Sequence, residues 1–281
     1  MACEVAPYGV AAARAENGNG VIASSQSRAL ASGVLTPALS AINVVNPQAL
    51  SGAIEQVLSA VGGRGQNVIA VLPESALRVT LLDFDSLPDK HSEAEATLRF
   101  RLRKSLPFDV DKAVLSFEAQ PAENGVRVLT TIIVSSVLDE YEKAFRDAGC
   151  EPGVVLPSSI AALGGLPGDR PSMLLKVAPD ATSVVAVRDG QVLLFRTLEG
   201  YGEQKPSAQR LADDIYPSLV YFQDTFGAAI EEIYVAGVAE AESILPVLRE
   251  QTGVAARELI AASVVSGDLR HNFPAAIAAL L

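Results

Sequence analysis

Paired carboxylates are the side chains of this sequence most suited to chemistry. Asp83 and Asp85 lie two residues apart at the end of a predicted strand, where they could bind a metal ion or act as acid and base. They also precede Pro88 and a predicted helix, a setting in which carboxylates commonly form turns and caps. We interpret them as turn and cap residues. Asp213 and Asp214 lie on a predicted helix, where we expect solvated charge.

Cysteine and histidine give no pattern of a catalytic or metal-binding site. Cys3 and Cys150 lack C-x-x-C spacing, so they predict neither a disulfide framework nor a zinc site, and they indicate a reducing compartment. His91 and His271 fall in turn-like or cap-like positions, and no serine lies in a G-x-S-x-G motif. The sequence therefore predicts no catalytic residue and no bound metal.

Basic residues cluster at one place only, at Arg99, Arg101, Arg103 and Lys104, in a chain of 281 residues with a net charge of -11. Broad nucleic-acid binding needs many more clustered cations, so the charge excludes that class. The cluster has two interpretations. It is either a solvated helix face that complements the helix dipole, or a contact for an acidic partner or for anionic headgroups.

Hydropathy places the protein outside the membrane. No run of about 18 apolar residues is present, so no transmembrane helix is predicted. The first ten residues lack the basic start and long apolar core of a signal peptide. We therefore expect a cytoplasmic protein, long enough to divide its core between two lobes.

Residues 77–149 form a module with clear element boundaries. Alternation predicts a strand at residues 77–84, and Ser92 with Glu95 three residues later predicts a capping box that starts a helix. The helix should end before Pro107. Two alternating strands and a second amphipathic helix that ends at Gly149 follow, which gives the order β-α-β-β-α. The buried stripe of the first helix should consist of Ala94, Leu98, Leu102 and Leu106.

The remaining chain reads as two similar halves, each a three-stranded meander followed by a helix and a buried strand. The first half has a hairpin turn at residues 17–20 and a helix that starts at Asn46 and Pro47. The second half has a hairpin turn at Asp189 and a helix over residues 207–226. The similarity indicates a weak internal duplication.

Together these elements resemble the actin-like ATPase fold, in the version seen in the cell-division protein FtsA and in PilM-like proteins of type IV pilus assembly. The strongest likeness is RFRLRKSLPFDVDKAVLSF at residues 99–117, a basic helix, a Leu-Pro-Phe break and an alternating strand. A second is SLVYFQDTFGAAIEEIYVAG at residues 218–237. The resemblance implies an α/β, ribonuclease H-like fold with two lobes and a β-α-β-β-α insertion in the first.

The resemblance also implies the domain boundaries. Residues 1–75 would form the core of the first lobe, and residues 76–151 the inserted subdomain. Residues 152–169 would return to the first lobe and link it to the second lobe, at residues 170–281.

In this fold the first hairpin of each half holds the phosphates of ATP, with a carboxylate near Mg²⁺. The matching positions are Gly9 in the first turn, Asp180 and Thr182 in the second, and Gly237 at the adenine end. Both turns contain a proline, which removes an N–H donor. The first turn lacks Asp, and the second lacks the glycine that close approach to a phosphate favours. ATP with Mg²⁺ is therefore expected to bind weakly at most, without hydrolysis.

The resemblance implies a scaffold at the inner face of the inner membrane. It would bind the cytoplasmic tail of a PilN-like membrane protein and contribute, with other components, to pilus assembly. Three alternatives stay open: a nucleotide-dependent switch of the same fold, a GspL-like component of a type II secretion system, and a sugar kinase. The kinase is the least compatible, because it needs an Asp in both phosphate turns.

The resemblance places the groove for the tail between the first lobe and the inserted module. Phe100 and Phe108 are the expected anchors, with Arg99 and Arg103 beside them. On a helical wheel Phe100 lies about 200° from Leu98, away from the buried stripe. Either aromatic could instead pack on the first lobe.

Overall fold

The computed structural model describes residues 1–16, 20–63, 67–202, 206–265 and 269–281. The predicted hairpin turn at residues 17–20 lies outside the described residues except for Gly20. In the described ranges no helix is both long enough and apolar enough to cross a membrane.

The chain combines strands and helices along its whole length. In order, the elements are β1 (Ala2–Ala6), β2 (Gly9–Ala15), β3 (Ile22–Ala29), α1 (Pro47–Ala60), β4 (Asn67–Leu72), β5 (Arg78–Phe84), α2 (His91–Leu102), β6 (Ala113–Ala122), β7 (Gly125–Val134), α3 (Ser135–Asp147), β8 (Glu151–Pro157), α4 (Ser158–Ala162), β9 (Ser172–Val177), β10 (Ala181–Arg188), β11 (Gln191–Glu199), α5 (Ala208–Phe226), β12 (Glu232–Ala236), α6 (Ala241–Thr252), β13 (Ala255–Glu258), α7 (Leu269–Asn272) and α8 (Pro274–Ala278).

Two five-stranded sheets share one topology. The strand orders are β3-β2-β1-β4-β8 and β11-β10-β9-β12-β13. In each sheet the meander is antiparallel, and the fourth and fifth strands are added in parallel. The predicted internal duplication is thus present as a repeated sheet.

The inserted module is a three-stranded antiparallel sheet, β5-β7-β6, with different partners on its two faces. Ile132 and Leu115 face a small core that includes Leu102 of α2. Leu129 and Ile133 face the main core of the first lobe. Helix α2 therefore covers the face of the sheet that points away from the lobes. The proposed domain boundaries stay a prediction.

Local signals set most helix ends. Asn46 caps α1 by accepting a hydrogen bond from the Ala49 N–H, and Ser207 caps α5 in the same way. Gly227 and Gly253 end α5 and α6 in the left-handed conformation. Pro217 lies inside α5, as the sequence requires.

The predicted capping box of α2 is wrong. The N–H groups of Glu93 and Ala94 both donate to the Lys90 carbonyl, so the first helical turn begins one residue early and Ser92 lies inside it. The helix also ends at Leu102, and Leu106 packs only partly buried against the module core.

Candidate functional site

A cavity of about 290 Å³ lies where the turn after β1 and the turn after β9 face each other. These two turns are the ones in which the family resemblance predicts phosphate contacts. The lining residues come from both turns, the segment after β12 and the C-terminal segment: Tyr8, Val177, Ala178, Pro179, Tyr201, Gly202, Pro206, Gly237, Val238, Ala239, Glu240, Ile244 and Asn272.

The first turn is bound to the C-terminal segment of the chain. The Tyr8 hydroxyl donates to the Asn272 carbonyl at 2.7 Å, and its ring lies 5.4 Å from the Phe273 ring. A Cβ at Gly9 would lie 2.7 Å from the Arg28 carbonyl oxygen and 2.9 Å from the Phe273 ring. Gly9 is therefore needed where β2 packs on β3 and on the C-terminal segment.

The second turn has few groups left for a phosphate. Asp180 accepts a hydrogen bond from the Ser75 hydroxyl of the first lobe. The Ala178 N–H donates to the Ala181 carbonyl at 3.0 Å, and Pro179 has no N–H. The Pro179 carbonyl accepts from the Gly202 N–H at 2.9 Å. This turn is tied to both lobes.

Thr182 and Gly237, the two other residues predicted to bind a nucleotide, lie in different environments. Thr182 is fully buried, and its hydroxyl has no hydrogen-bond partner among the described residues. Gly237 lines the cavity with φ of +82°, and a Cβ there would lie 1.8 Å from the Val177 carbonyl oxygen. Of the four positions, only Gly237 borders the cavity. Nucleotide binding at these positions stays a prediction.

A buried ion pair joins β1 of the first lobe to β9 of the second lobe. Lys176 Nζ on β9 lies 3.8 Å from Glu4 Oε1 on β1, and both side chains are buried. The other Glu4 oxygen accepts from the Ala276 N–H at 2.9 Å. Burial raises the pKa of Glu4, and the Lys176 charge and the Ala276 hydrogen bond oppose that rise. Lys176 was not predicted from the sequence. The feature that could have indicated it is a single lysine within the apolar strand SMLLKV.

Glu74 is a second buried carboxylate at this junction. Its Oε2 accepts from the Ser159 N–H at 3.1 Å, whereas its Oε1 has no partner in the part of the chain that the structure describes. Burial raises the pKa of Glu74, and the Ser159 contacts and the Lys176 charge oppose that rise. An ionised Glu74 is therefore expected to lower stability near neutral pH.

We expect Glu74→Gln to stabilise the protein increasingly as the pH rises. A folded-state pKa above the unfolded one means that the native state retains a proton over that window, so the wild type loses stability as pH rises through it. The amide removes this loss. Urea unfolding at about pH 5 and about pH 8 measures the difference. Glu118→Gln, at an exposed position, provides the baseline for loss of one charge. A difference between Glu74→Gln and wild type that does not grow with pH would contradict this assignment.

The described residues contain no group of three or more His, Cys, Asp or Glu side chains that could hold a metal ion. Asp83, one of the paired carboxylates, forms an ion pair with Arg127 at 2.7 Å across the module sheet. Asp83 therefore helps to join β5 to β7.

The predicted partner-binding residues lie on the outer side of the module. Phe100 is 75 % exposed on α2, and Phe108 is half-buried against the module core. Arg99 pairs with Glu95 at 2.7 Å, and Arg103 pairs with Asp111 at 2.8 Å. Tail binding by these four residues stays a prediction. The alternative that Phe100 packs on the first lobe is wrong, because its ring is in solvent.

A different apolar surface lies at the boundary between the first lobe and the module. The N–H groups of Asn43 and Val44 both donate to Glu140 Oε2 of α3 at 2.8 Å. On either side of this contact, Ile42 is 72 % exposed and Val45 is 58 % exposed. We call Ile42 and Val45 the seam residues.

Solved structures match this chain along nearly its whole length. A chain of the PilM-PilN type IV pilus biogenesis complex matches with a TM-score of 0.77 and 19% identity, over 99% of this chain and 96% of that one. The chain has the actin-like ATPase fold. The resemblance to PilM-like proteins predicted from the sequence is confirmed at the level of the fold.

Two further structures support the fold. A protein of actin-like ATPase fold and unknown function from Bacteroides thetaiotaomicron matches with a TM-score of 0.56 and 13% identity, over 99% of this chain and 94% of its own. The cytoplasmic domain of EpsL, an inner-membrane component of the type II secretion system of Vibrio cholerae, matches with a TM-score of 0.54 and 14% identity, over 94% and 98%. No protein-family model matches the sequence. No curated protein matches it either.

Proposed function

We propose that this chain is a cytoplasmic scaffold of type IV pilus assembly that binds the cytoplasmic tail of a PilN-like inner-membrane protein. The observation that carries the proposal is the likeness to a chain of the PilM-PilN complex along almost the whole of both chains. Binding to the tail would hold the protein at the inner face of the inner membrane. Other pilus components are proposed partners on the same ground.

The state of the cleft favours a scaffold over an ATPase. The first turn is bonded to Asn272, the second to Ser75, and Lys176 is paired with Glu4. These contacts use the Tyr8 hydroxyl and the Lys176 charge, which are therefore not free to bind a triphosphate. We therefore expect weak ATP binding and no hydrolysis.

We place the tail at the seam residues. An extended tail segment usually binds by filling small apolar pockets or by adding to a sheet edge. Ile42 and Val45 offer exposed apolar contacts at the boundary that the family resemblance indicates, and Glu140 fixes the backbone between them. Phe100 and Phe108 remain the competing site.

Peptide titration of seam variants tests this placement. We expect the double variant Ile42→Ser/Val45→Ser to weaken tail binding by about 1 to 3 kcal/mol, since exposed interface anchors contribute on that scale. Its melting temperature should stay within a few degrees of wild type, because both side chains are already in solvent. Calorimetric titration with a synthetic tail peptide gives the affinity.

Phe100→Ala is the matched control, as it removes a comparably exposed apolar side chain from another surface. If the seam variant keeps its affinity for the tail peptide and Phe100→Ala loses affinity, the tail binds on the outer side of the module. If neither variant loses affinity for the tail peptide, both surfaces are rejected as the binding site.

The likeness to EpsL favours a second candidate, a component of a type II secretion system related to GspL. Its lower TM-score makes it the second choice. The same titration with the tail of a secretion-system membrane protein distinguishes the two systems.

A further inference from the structure

The outer surface of α2 combines an exposed aromatic ring with free positive charge. Phe100 is 75 % exposed, and Arg101, Arg103 and Lys104 are exposed beside it. We call these four residues the α2 outer surface. Most of the Phe100 side chain stays in water, which leaves apolar area unburied.

Two of these cations have nothing to neutralise them. Arg101 and Lys104 form no hydrogen bond or ion pair with any residue of the described ranges, whereas Arg103 pairs with Asp111 at 2.8 Å. On the same helix, Glu93 is paired with Lys90 at 3.0 Å and Glu95 with Arg99 at 2.7 Å. Residues 99–112 hold five basic and two acidic side chains, in a chain whose net charge is -11.

We propose that the α2 outer surface binds an anionic lipid bilayer directly. Phe100 would enter the boundary between headgroups and acyl chains, and Arg101, Lys104 and Arg103 would contact anionic headgroups around it. Aromatic rings beside cations are a combination that suits the membrane interface.

The shape of the surface favours a bilayer over an acidic peptide. Phe100 projects from the last turn of a helix, and the other residues of the surface are charged. A peptide needs a groove or a sheet edge, whereas a bilayer accepts a single projecting ring. The negative charge of the remaining chain repels an anionic membrane, so binding would also orient the protein with the module toward the bilayer.

Such a contact is weak by itself, because one ring and three cations give only marginal attachment. It becomes significant when a second contact holds the protein near the membrane. The intrinsic affinity of this surface for a bilayer is independent of the proposed tail binding, because the seam residues lie beside α3 and not on α2.

Vesicle sedimentation of the full chain tests the proposal. We expect binding to vesicles that contain phosphatidylglycerol, weaker binding to pure phosphatidylcholine vesicles, and a decrease at high salt. Arg101→Glu/Lys104→Glu should lower the partition coefficient at least about tenfold. Phe100→Ser should lower it about threefold or more, with the salt dependence retained.

The control makes the same charge change elsewhere. Lys143→Glu/Arg146→Glu reverses two exposed cations of α3, and it should lower binding far less than the α2 double variant. Circular dichroism checks that each variant is folded. Equal binding to both vesicle types, or equal losses in the two double variants, would overturn the proposal. So would an α2 double variant that loses tail-peptide binding while its vesicle binding is unchanged, because the surface would then take an acidic peptide.

Discussion

Lys176→Met is expected to lower the free energy of unfolding by about 3 kcal/mol, since it leaves a buried carboxylate without its counterion. Lys176 is the cation that lies beside Glu4, and its charge also acts on Glu74. Because methionine occupies a volume similar to that of lysine, the decrease in the free energy of unfolding measures the loss of the charge and not a change in packing. Urea unfolding near neutral pH measures it. The loss should shrink at low pH, where Glu4 takes up a proton.

Two further variants distinguish the loss of this buried charge from the loss of any lysine. Lys143→Met removes an exposed ion pair with Asp147 and should cost about 0.5 kcal/mol or less. Glu4→Gln/Lys176→Met should recover part of the stability, because neither charge then remains buried. Equal costs for Lys176→Met and Lys143→Met would show that the pair between the lobes contributes little.

Gly237→Ala is expected to destabilise the protein by about 3 kcal/mol or more, through a clash added to an unfavourable dihedral angle. The residue has φ of +82°, and the new Cβ would lie 1.8 Å from the Val177 carbonyl oxygen. That oxygen belongs to the backbone at the end of β9, which cannot move without shifting the second turn. The cavity should therefore change shape as well.

Gly227→Ala is the matched control for the dihedral angle alone. Gly227 has φ of +62°, and no atom lies within 4 Å of the position that a Cβ would take there. We expect a cost of about 1 kcal/mol there. If both glycine variants lose the same free energy on thermal or urea unfolding, the close approach of Gly237 to Val177 is not as tight as the geometry indicates.

Sequence patterns predicted the fold because the elements carry their own signals. Asn46 before Pro47, Ser207, and the glycines at 227 and 253 mark helix ends by local chemistry that tertiary packing did not alter. Alternation and turn residues placed the strands of both meanders. The repeated order of elements then indicated two similar sheets. The prediction of where α2 starts was wrong, because the N–H groups of Glu93 and Ala94 donate to the Lys90 carbonyl and no side chain caps the helix.

The junction between the lobes could not be predicted in this way. Glu4 meets Ala276 across 272 residues of sequence, and the pairing of Asp180 with Ser75 spans 105. No local pattern encodes such contacts. Phe100 was correctly placed off the buried stripe, but a helical wheel does not say which face of the sheet α2 covers. That choice depends on how the module packs on the lobes.

We propose that the chain holds the tail of a membrane protein and that contacts such as the Lys176–Glu4 pair join the two lobes at its cleft. The most direct test is calorimetric titration of the tail peptide into the full chain, with and without Mg²⁺ and ATP. We predict the same affinity, about micromolar, in both conditions, and no comparable binding of ATP alone. No binding of the peptide, or binding that requires ATP, would contradict the account.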